Sequence, residues 1–244
     1  MRVTFLGTGS AMATADRAQT GILLRDGGNT LLVDCGAGVL HRLQASGVGY
    51  EAVDAVLLTH HHLDHVSDLL VLLKARWLAG EESLTVVGPP GTESLVADLL
   101  DVHEYMQGRV DLTVRDEAPG SFSVGGFDVE AMETRHSMRC HAYRFGDAFC
   151  FSGDSEAFEE LAAFADGCEA LAHDCSFPDG VDVSNHPTPS QLGRALAGVD
   201  VGTVYLTHLY PHTEGHHDAM LASLGEHYDG DVTFAADLTA VELD

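Results

Sequence analysis

Four side chains able to bind a metal fall within six residues, because Thr59-His60-His61-His62-Leu63-Asp64-His65 reads as His-x-His-x-Asp-His. Apolar Val56-Leu57-Leu58 precedes it, and Leu63, Val66, Leu69, Leu70, Leu73 and Trp77 follow at helical spacing. A buried strand over 55–59 is therefore expected to open into a helix over 63–78, and such strand ends are where α/β proteins place ligands. His60 and His62 share one side of a locally extended segment, since side chains alternate with period two. Asp64 and His65 fall in the first helical turn and point another way, a divergence that suits two neighbouring metals better than one. Imidazole nitrogen with carboxylate oxygen is the zinc-class donor set, which Fe and Mn also accept. A solvated loop rich in histidine is the alternative in a chain with 15 His. It leaves the aspartate and fourth histidine at ligand spacing unexplained. His61 falls between the ligand positions and is left out.

The rest of the chain alternates short β runs and helical patterns. Strands are expected at 3–6, 21–24, 30–33, 84–87, 110–114, 127–133, 141–145, 149–152, 171–173, 203–207 and 232–235. Helices are expected at 39–45, 92–106, 158–164, 190–197 and 217–227. This mixture predicts an α/β chain with two sheets and helices packed outside, a four-layer αββα sandwich. Periodicity by itself leaves other α/β layerings open. At 244 residues a single domain spanning 1–244 is an ordinary outcome.

Bulk composition excludes some classes. No apolar run approaches the roughly 20 residues that span a bilayer. The opening Met1-Arg2-Val3-Thr4-Phe5-Leu6-Gly7 reads as a first strand and not a signal peptide, so the expected setting is cytoplasmic. Asp and Glu number 38 against 12 Lys and Arg, and Lys74 is the only lysine. So acidic a surface repels nucleic acid and anionic membranes at ordinary ionic strength. It also suits a halophilic protein, because a Debye length of about 3 Å at 1 M salt hides self-repulsion. The scarcity of Lys and the excess of Asp over Glu favour the salt reading, which leaves net charge uninformative about substrate. The five cysteines (Cys35, Cys140, Cys150, Cys168, Cys175) lack CxxC spacing and are expected to be reduced, with Cys35 and Cys150 as small core residues.

The His-x-His-x-Asp-His pattern resembles the defining motif of the metallo-β-lactamase superfamily, whose fold is the αββα sandwich. That resemblance calls for three further ligands at strand ends. His136 in Thr134-Arg135-His136-Ser137, Asp154 in Phe151-Ser152-Gly153-Asp154-Ser155, and His208 in Tyr205-Leu206-Thr207-His208-Leu209 match them in order. It implies two ions, Zn2+ first with Mn2+ or Fe as substitutes. One would sit on His60, His62 and His136 and the other on Asp64, His65 and His208, with Asp154 bridging both. Asp34 in Leu32-Val33-Asp34-Cys35-Gly36 matches the superfamily's early, structural aspartate. Flavodiiron-type relatives favour Glu where this chain has His62, and antibiotic-degrading members often use a Cys ligand where this chain has His65. Redox and antibiotic-degrading roles are therefore disfavoured.

Within the superfamily, several stretches are similar to ribonuclease Z, the tRNA 3′-trailer endonuclease, and its small phosphodiesterase relatives. Phe5-Leu6-Gly7-Thr8-Gly9-Ser10 resembles that branch's glycine loop, and Asp34-Cys35-Gly36-Ala37-Gly38 its Asp-Cys-Gly-x-Gly stretch. His173-Asp174-Cys175-Ser176-Phe177 is similar to His-Glu-Ala-Thr-Phe, with Asp174 in place of Glu. Asn185-His186-Pro187-Thr188 is similar to Gly-His-Ser-Thr, which places His186 at the catalytic histidine. The departures are equally informative. Ribonuclease Z carries a long basic arm, in most members between the third histidine and the bridging aspartate. Here only seventeen residues separate His136 from Asp154, and two short strands use them. The Glu-Gly-Thr-Gln run that usually follows Asp-Cys-Gly is replaced by Ala37-Gly38-Val39-Leu40, and no Lys/Arg cluster offers an RNA footprint. An arm-less phosphodiesterase acting on a small or cyclic phosphodiester is favoured over a tRNA-processing endoribonuclease acting on a tRNA precursor. No membrane partner is expected, and a homodimer stays open.

The expected chemistry follows from the ions. Two cations lower the pKa of a bridging water towards neutrality and polarise the phosphoryl oxygens, so hydroxide is available at pH 7. The leaving alkoxide needs a proton, with His186 the candidate general acid and Asp174 orienting its ring. Asp64 counts among both the ligands and the catalytic candidates. His186 as a plain loop histidine before a proline is the competing view. A lactone or thioester hydrolase would keep the metals and change the bond, but a good leaving group has little use for a His186–Asp174 pair. Purely structural metals fit poorly, because seven ligands over two ions leave coordination positions open whereas structural zinc sites are closed by four.

Overall fold

The computed structural model describes residues 1–81 and 83–244. In chain order the first half forms β1 (Arg2–Gly7), β2 (Gly21–Asp26), β3 (Asn29–Val33), α1 (Val39–Ala45), β4 (Ala55–Leu57), α2 (Leu63–Val66), α3 (Leu69–Ala79), β5 (Ser83–Gly88), α4 (Thr92–Val102) and β6 (Asp111–Asp116). The second forms β7 (Gly120–Val124), β8 (Phe127–Glu133), β9 (His141–Phe145), β10 (Phe149–Phe151), α5 (Glu159–Phe164) and β11 (Ala170–Asp174). It continues through α6 (Pro189–Leu196), β12 (Thr203–Thr207), α7 (His217–Gly225), β13 (Asp231–Phe234) and β14 (Ala240–Glu242).

Among the described residues the strands make two seven-stranded sheets, ordered β14-β1-β2-β3-β4-β5-β6 and β13-β12-β11-β10-β9-β8-β7. Both have the same grain. Antiparallel neighbours (β1 to β3, β7 to β10) give way to parallel ones (β3 to β6, β10 to β13). Parallel neighbours need a crossover, and each of the six has a helix in its connection.

Period-two alternation sorts the apolar side chains into layers. Leu31 and Val33 of β3 face the opposite sheet while Leu32 faces the helices, and Leu57 of β4 points inward while Val56 points out. Between the sheets, Phe5, Ile22 and Leu57 share a core with Tyr143, Phe149 and Phe151. Outside, the first sheet packs with Leu43, Leu72 and Val96 of α1, α3 and α4, and the second with Ala162, Leu192 and Leu224 of α5, α6 and α7. The expected αββα sandwich is what forms. No described helix is long and apolar enough to cross a membrane. All five cysteines are buried and free of disulfides.

Differences from the sequence expectations have local causes. The helix expected over 63–78 is two helices, because the Asp68 N–H donates to the carbonyl of Cys35 (2.9 Å) instead of continuing the helical ladder. The helix expected over 92–106 ends at Val102, with a separate 3-10 turn at Glu104–Met106. Strands β7 and β14 were not anticipated. β14 leaves the second sheet to pair antiparallel with β1, Val3 opposite Val241. Just before it, the Asp237 carboxylate accepts hydrogen bonds from the Thr8 N–H (3.0 Å) and hydroxyl (2.8 Å), the Ala18 N–H (2.7 Å) and Arg42 Nε (3.0 Å). One side chain thus ties down the loop between β1 and β2 at both its ends.

Candidate metal centre

Strands β4, β8, β10 and β12 end at one edge of the sandwich, and each delivers histidine or aspartate side chains there. His60 and His62 lie in the link from β4 to α2, Asp64 and His65 in α2, His136 after β8, Asp154 after β10 and His208 directly after β12. The Asp34-Cys35-Gly36 turn holds α2 in place. The Cys35 N–H donates to the His65 carbonyl at 2.7 Å, and Gly36 approaches so closely that a Cβ there would lie 2.0 Å from the Asp64 carbonyl oxygen. Only glycine fits. Asp34, itself in the left-handed region at φ +60, accepts the Thr59 N–H and hydroxyl, each at 2.7 Å.

Outer partners fix which nitrogen each histidine turns inward. His65 Nδ1–H donates to Asp34 (2.7 Å), His60 Nδ1–H to the Thr59 hydroxyl oxygen (3.0 Å) and His136 Nδ1–H to the Asn185 carbonyl (3.2 Å). Each thereby presents Nε2, whereas His62 presents Nδ1. Donor atoms of a tetrahedral zinc at about 2.0–2.1 Å stand roughly 3.3 Å apart. His62 Nδ1 lies 3.0 Å from His60 Nε2 and 3.1 Å from His136 Nε2, and Asp154 Oδ2 lies 3.6 and 3.8 Å from those two atoms. In a second group, Asp64 Oδ2 lies 3.2 Å from His208 Nε2 and 3.8 Å from His65 Nε2. Asp154 reaches that group too, with Oδ1 3.3 Å from His65 Nε2 and Oδ2 3.3 Å from His208 Nε2. His65 Nε2 and Asp154 Oδ1 are buried with no hydrogen-bond partner among the described residues. Chemistry and spacing of the donors fit two zinc-class ions with Asp154 in reach of both. His61 turns away and bonds Thr92 Oγ1 at 2.8 Å.

The electrostatics suit cations. Burial pushes the Asp154 carboxyl up, but His208, His65 and His60 overcome it and hold the group well below the usual range. Burial pulls His65 down, yet Asp154 and Asp34 raise it well above its ordinary value. A cation bound at His65 Nε2 would displace any proton held there.

Asp174 ends β11, and His186 sits two residues before Thr188, whose capping box with Gln191 starts α6. His186 Nδ1 lies 2.7 Å from Asp174 Oδ2, and the His186 ring stacks on His208 with centroids 5.3 Å apart. Burial lowers its proton affinity, but the charge and hydrogen bond of Asp174 prevail, raising it to about 9. Tyr210, which no spacing rule singled out, stacks on Phe177 at 4.6 Å and stands edge-on to His186 and His208. Burial with Asp64, Asp154 and Asp174 pushes its phenol up to about 12, so it stays a neutral donor. His62, Asp64, His136, Asp154, His186 and Tyr210 line one cleft of about 370 Å³, whose other walls are Ala11, Leu63, Ser137 and Asn185. Neither Lys nor Arg is among them. A larger hollow of about 450 Å³ lies by Arg135, Phe158 and Arg194 but gathers no comparable ligand set. Chemistry, not size, selects the cleft.

Residues 1–219 match the family described as "Anti-Pycsar protein Apyc1". The chain is 31% identical to a protein named ribonuclease Z from Mycolicibacterium paratuberculosis over 276 aligned positions, covering 100% of this chain and 99% of the relative. Among solved structures, the metallo-β-lactamase fold protein YhfI from Bacillus subtilis superposes with a TM-score of 0.85 at 27% identity, over 99% of both chains. The short form of human tRNase Z superposes with a TM-score of 0.80 at 21% identity over 100% of both, a likeness of fold. The chain belongs to the Apyc1 family, in the ribonuclease Z-like branch of the metallo-β-lactamase superfamily, and is a metal-dependent hydrolase.

Proposed function

We propose that this hydrolase is an arm-less phosphodiesterase acting on a small or cyclic phosphodiester. The observation that carries this reading is His186. Its Nδ1 bonds Asp174 at 2.7 Å, and its ring lines the cleft together with the candidate ligands His62, Asp64, His136 and Asp154. A hydrolase of good leaving groups has little use for so well-oriented an acid, whereas an alkyl phosphodiester must have its leaving oxygen protonated.

In this reading His60, His62 and His136 would hold one zinc-class ion and Asp64, His65 and His208 the other, with Asp154 in reach of both sets. Bound there, the ions supply Lewis acidity towards the phosphoryl oxygens and an acidified water as nucleophile. The chain's own groups do the rest. Asp34, Thr59 and the Asn185 carbonyl hold the imidazoles in the right tautomer. Asp174 steers the His186 ring, and His186 Nε2–H delivers the proton to the departing oxygen. Tyr210 offers a neutral phenol to the substrate.

The absence of an arm supports a small substrate. Between His136 and Asp154 the chain makes only β9, β10 and the turn joining them. The 276 aligned positions against 244 residues leave at least 32 in which the ribonuclease Z relative has no counterpart here. Processing of tRNA precursors is the second reading, favoured by that 31% identity. A panel decides between them: bis-p-nitrophenyl phosphate, cyclic nucleotides, a lactone, a thioester and a tRNA precursor, assayed in high salt with Zn2+ or Mn2+. Turnover of small phosphodiesters with the tRNA precursor left intact is expected. Preference for the lactone or thioester refutes the reading, and efficient precursor cleavage replaces it with the second.

A further inference from the structure

Behind the cleft lies a hydroxyl with no role so far. Ser176, two residues past the end of β11, is buried, and its Oγ sits among three functional side chains. It donates to Asp174 Oδ1 at 2.6 Å, lies 3.0 Å from His208 Nδ1 and 3.4 Å from His186 Nδ1, and is also 3.0 Å from the His208 carbonyl. A serine hydroxyl has one proton to give and two lone pairs with which to accept. The short contact to the carboxylate takes the proton, so Oγ is left to accept from His208 Nδ1–H. That assignment makes His208 present Nε2 to Asp64 and Asp154, where its ligand atom belongs. Asp174 Oδ1 is 3.8 Å from His208 Nδ1, too far for a direct bond, while its Oδ2 accepts His186 Nδ1–H at 2.7 Å. A continuous chain results, from His208 through Ser176 to Asp174 and on to His186.

We propose that Ser176 is a positioning residue that joins the ligand His208 to the acid His186 through the carboxylate they share. Resting on the ligand and acid assignments above, this says how the two are kept in register. Asp174 orients the acid directly and the metal ligand only by way of Ser176. With Ser176 removed, His208 loses its acceptor in a place too buried for solvent to replace it. Partners of this kind are worth about 10- to 100-fold in metal affinity.

The test is a cycle of Zn2+ affinities measured by chelator competition, with no substrate present. Ser176→Ala should weaken the second of two Zn2+ by about 10- to 100-fold, and Ser176→Thr, which keeps the hydroxyl, should restore it. Asp174→Asn should weaken Zn2+ in the wild-type background but have little further effect in Ser176→Ala, since the connection is already cut. Ser176→Gly serves as a second hydroxyl-free variant if the alanine does not fold. Unchanged affinity in the hydroxyl-free variants, or an equal Asp174→Asn effect in both backgrounds, overturns the proposal while leaving the phosphodiesterase reading intact. A wild-type chain that binds no Zn2+ overturns both. Failure to turn over any phosphodiester overturns only the reading of the substrate, because the cycle never uses one.

Discussion

Replacing His186 by alanine isolates proton donation from everything else the cleft does. The substitution removes the ring that bonds Asp174 at 2.7 Å and stacks on His208, but takes away none of the seven candidate ligands. Both ions should therefore remain, as checked by elemental analysis of the dialysed variant. General acid catalysis contributes typically 10²- to 10⁴-fold, and the lower figure corresponds to about 2.7 kcal/mol of barrier. An alkyl phosphodiester, whose alkoxide cannot leave unprotonated, should slow by about 10²-fold or more. Bis-p-nitrophenyl phosphate should lose far less, since nitrophenolate departs without a proton. Asp174→Asn, assayed with Zn2+ raised to saturation to offset its weaker metal binding, should show the same selectivity in weaker form. The pH profile adds a sign. With its proton affinity raised to about 9, His186 carries its proton below that value and loses it above. Positive charge bound in the centre lowers the value further. The wild-type profile on the alkyl substrate should thus fall on the alkaline side at or below about pH 9, a limb absent from the alanine variant. Equal losses on both substrates, or loss of metal from the variant, would show that His186 is structural.

Metal content should be about two ions per chain, with Asp154→Ala losing most of the activity because one carboxylate reaches both groups; full occupancy at a single ion refutes this. Melting temperature should rise by many degrees from low to molar KCl as carboxylate repulsion is screened, and a flat dependence would return the acidic surface to a partner-based explanation. His141 is buried with neither ring nitrogen partnered among the described residues, and burial pulls its proton affinity down to about 4. The unfolded chain takes up that proton below about pH 6.5 while the folded one stays neutral until near 4, so stability is lost as pH falls through this window. The group's share is about 3 kcal/mol, and denaturant titrations of His141→Leu at pH 7 and 4 should show a correspondingly smaller loss than wild type.

What could be read in the sequence was whatever depends on local pattern. The apolar run Leu31-Leu32-Val33 and the helical spacing of Leu69, Leu72 and Leu73 made a layered α/β chain legible, and the resemblance carried by the His-x-His-x-Asp-His motif selected the αββα sandwich among the layerings left open. His60, His62, Asp64 and His65 stand out as a compact motif after an apolar run, and His136, Asp154 and His208 were picked from later strand ends by the resemblance to the metallo-β-lactamase superfamily. Where tertiary contacts decide, the pattern gave no warning. The break before α3 depends on Cys35 capturing the Asp68 N–H across 33 positions of sequence. β7 (Gly-Ser-Phe-Ser-Val) and β14 (Ala-Val-Glu) have too few apolar residues to stand out, and they form because β8 and β1 offer free edges. Ser176 and Tyr210 belong to residue types common in any loop. Their place beside His208 comes from how the ends of β11 and β12 meet, which no spacing encodes.

The anchoring of the glycine loop by Asp237 sets an order of events during synthesis. Thr8 and Ala18 emerge from the ribosome more than two hundred residues before the carboxylate that holds them. β1 likewise keeps one edge unpaired until Ala240–Glu242 arrives. At roughly 5–20 residues per second, that interval is on the order of ten seconds or more. Throughout it, the loop carrying Ala11, one wall of the cleft, lacks its anchor. His208 is also made late. The cleft can assemble only once β12 and the Asp237 segment have been made, so metal loading would need both sheets and not the first alone.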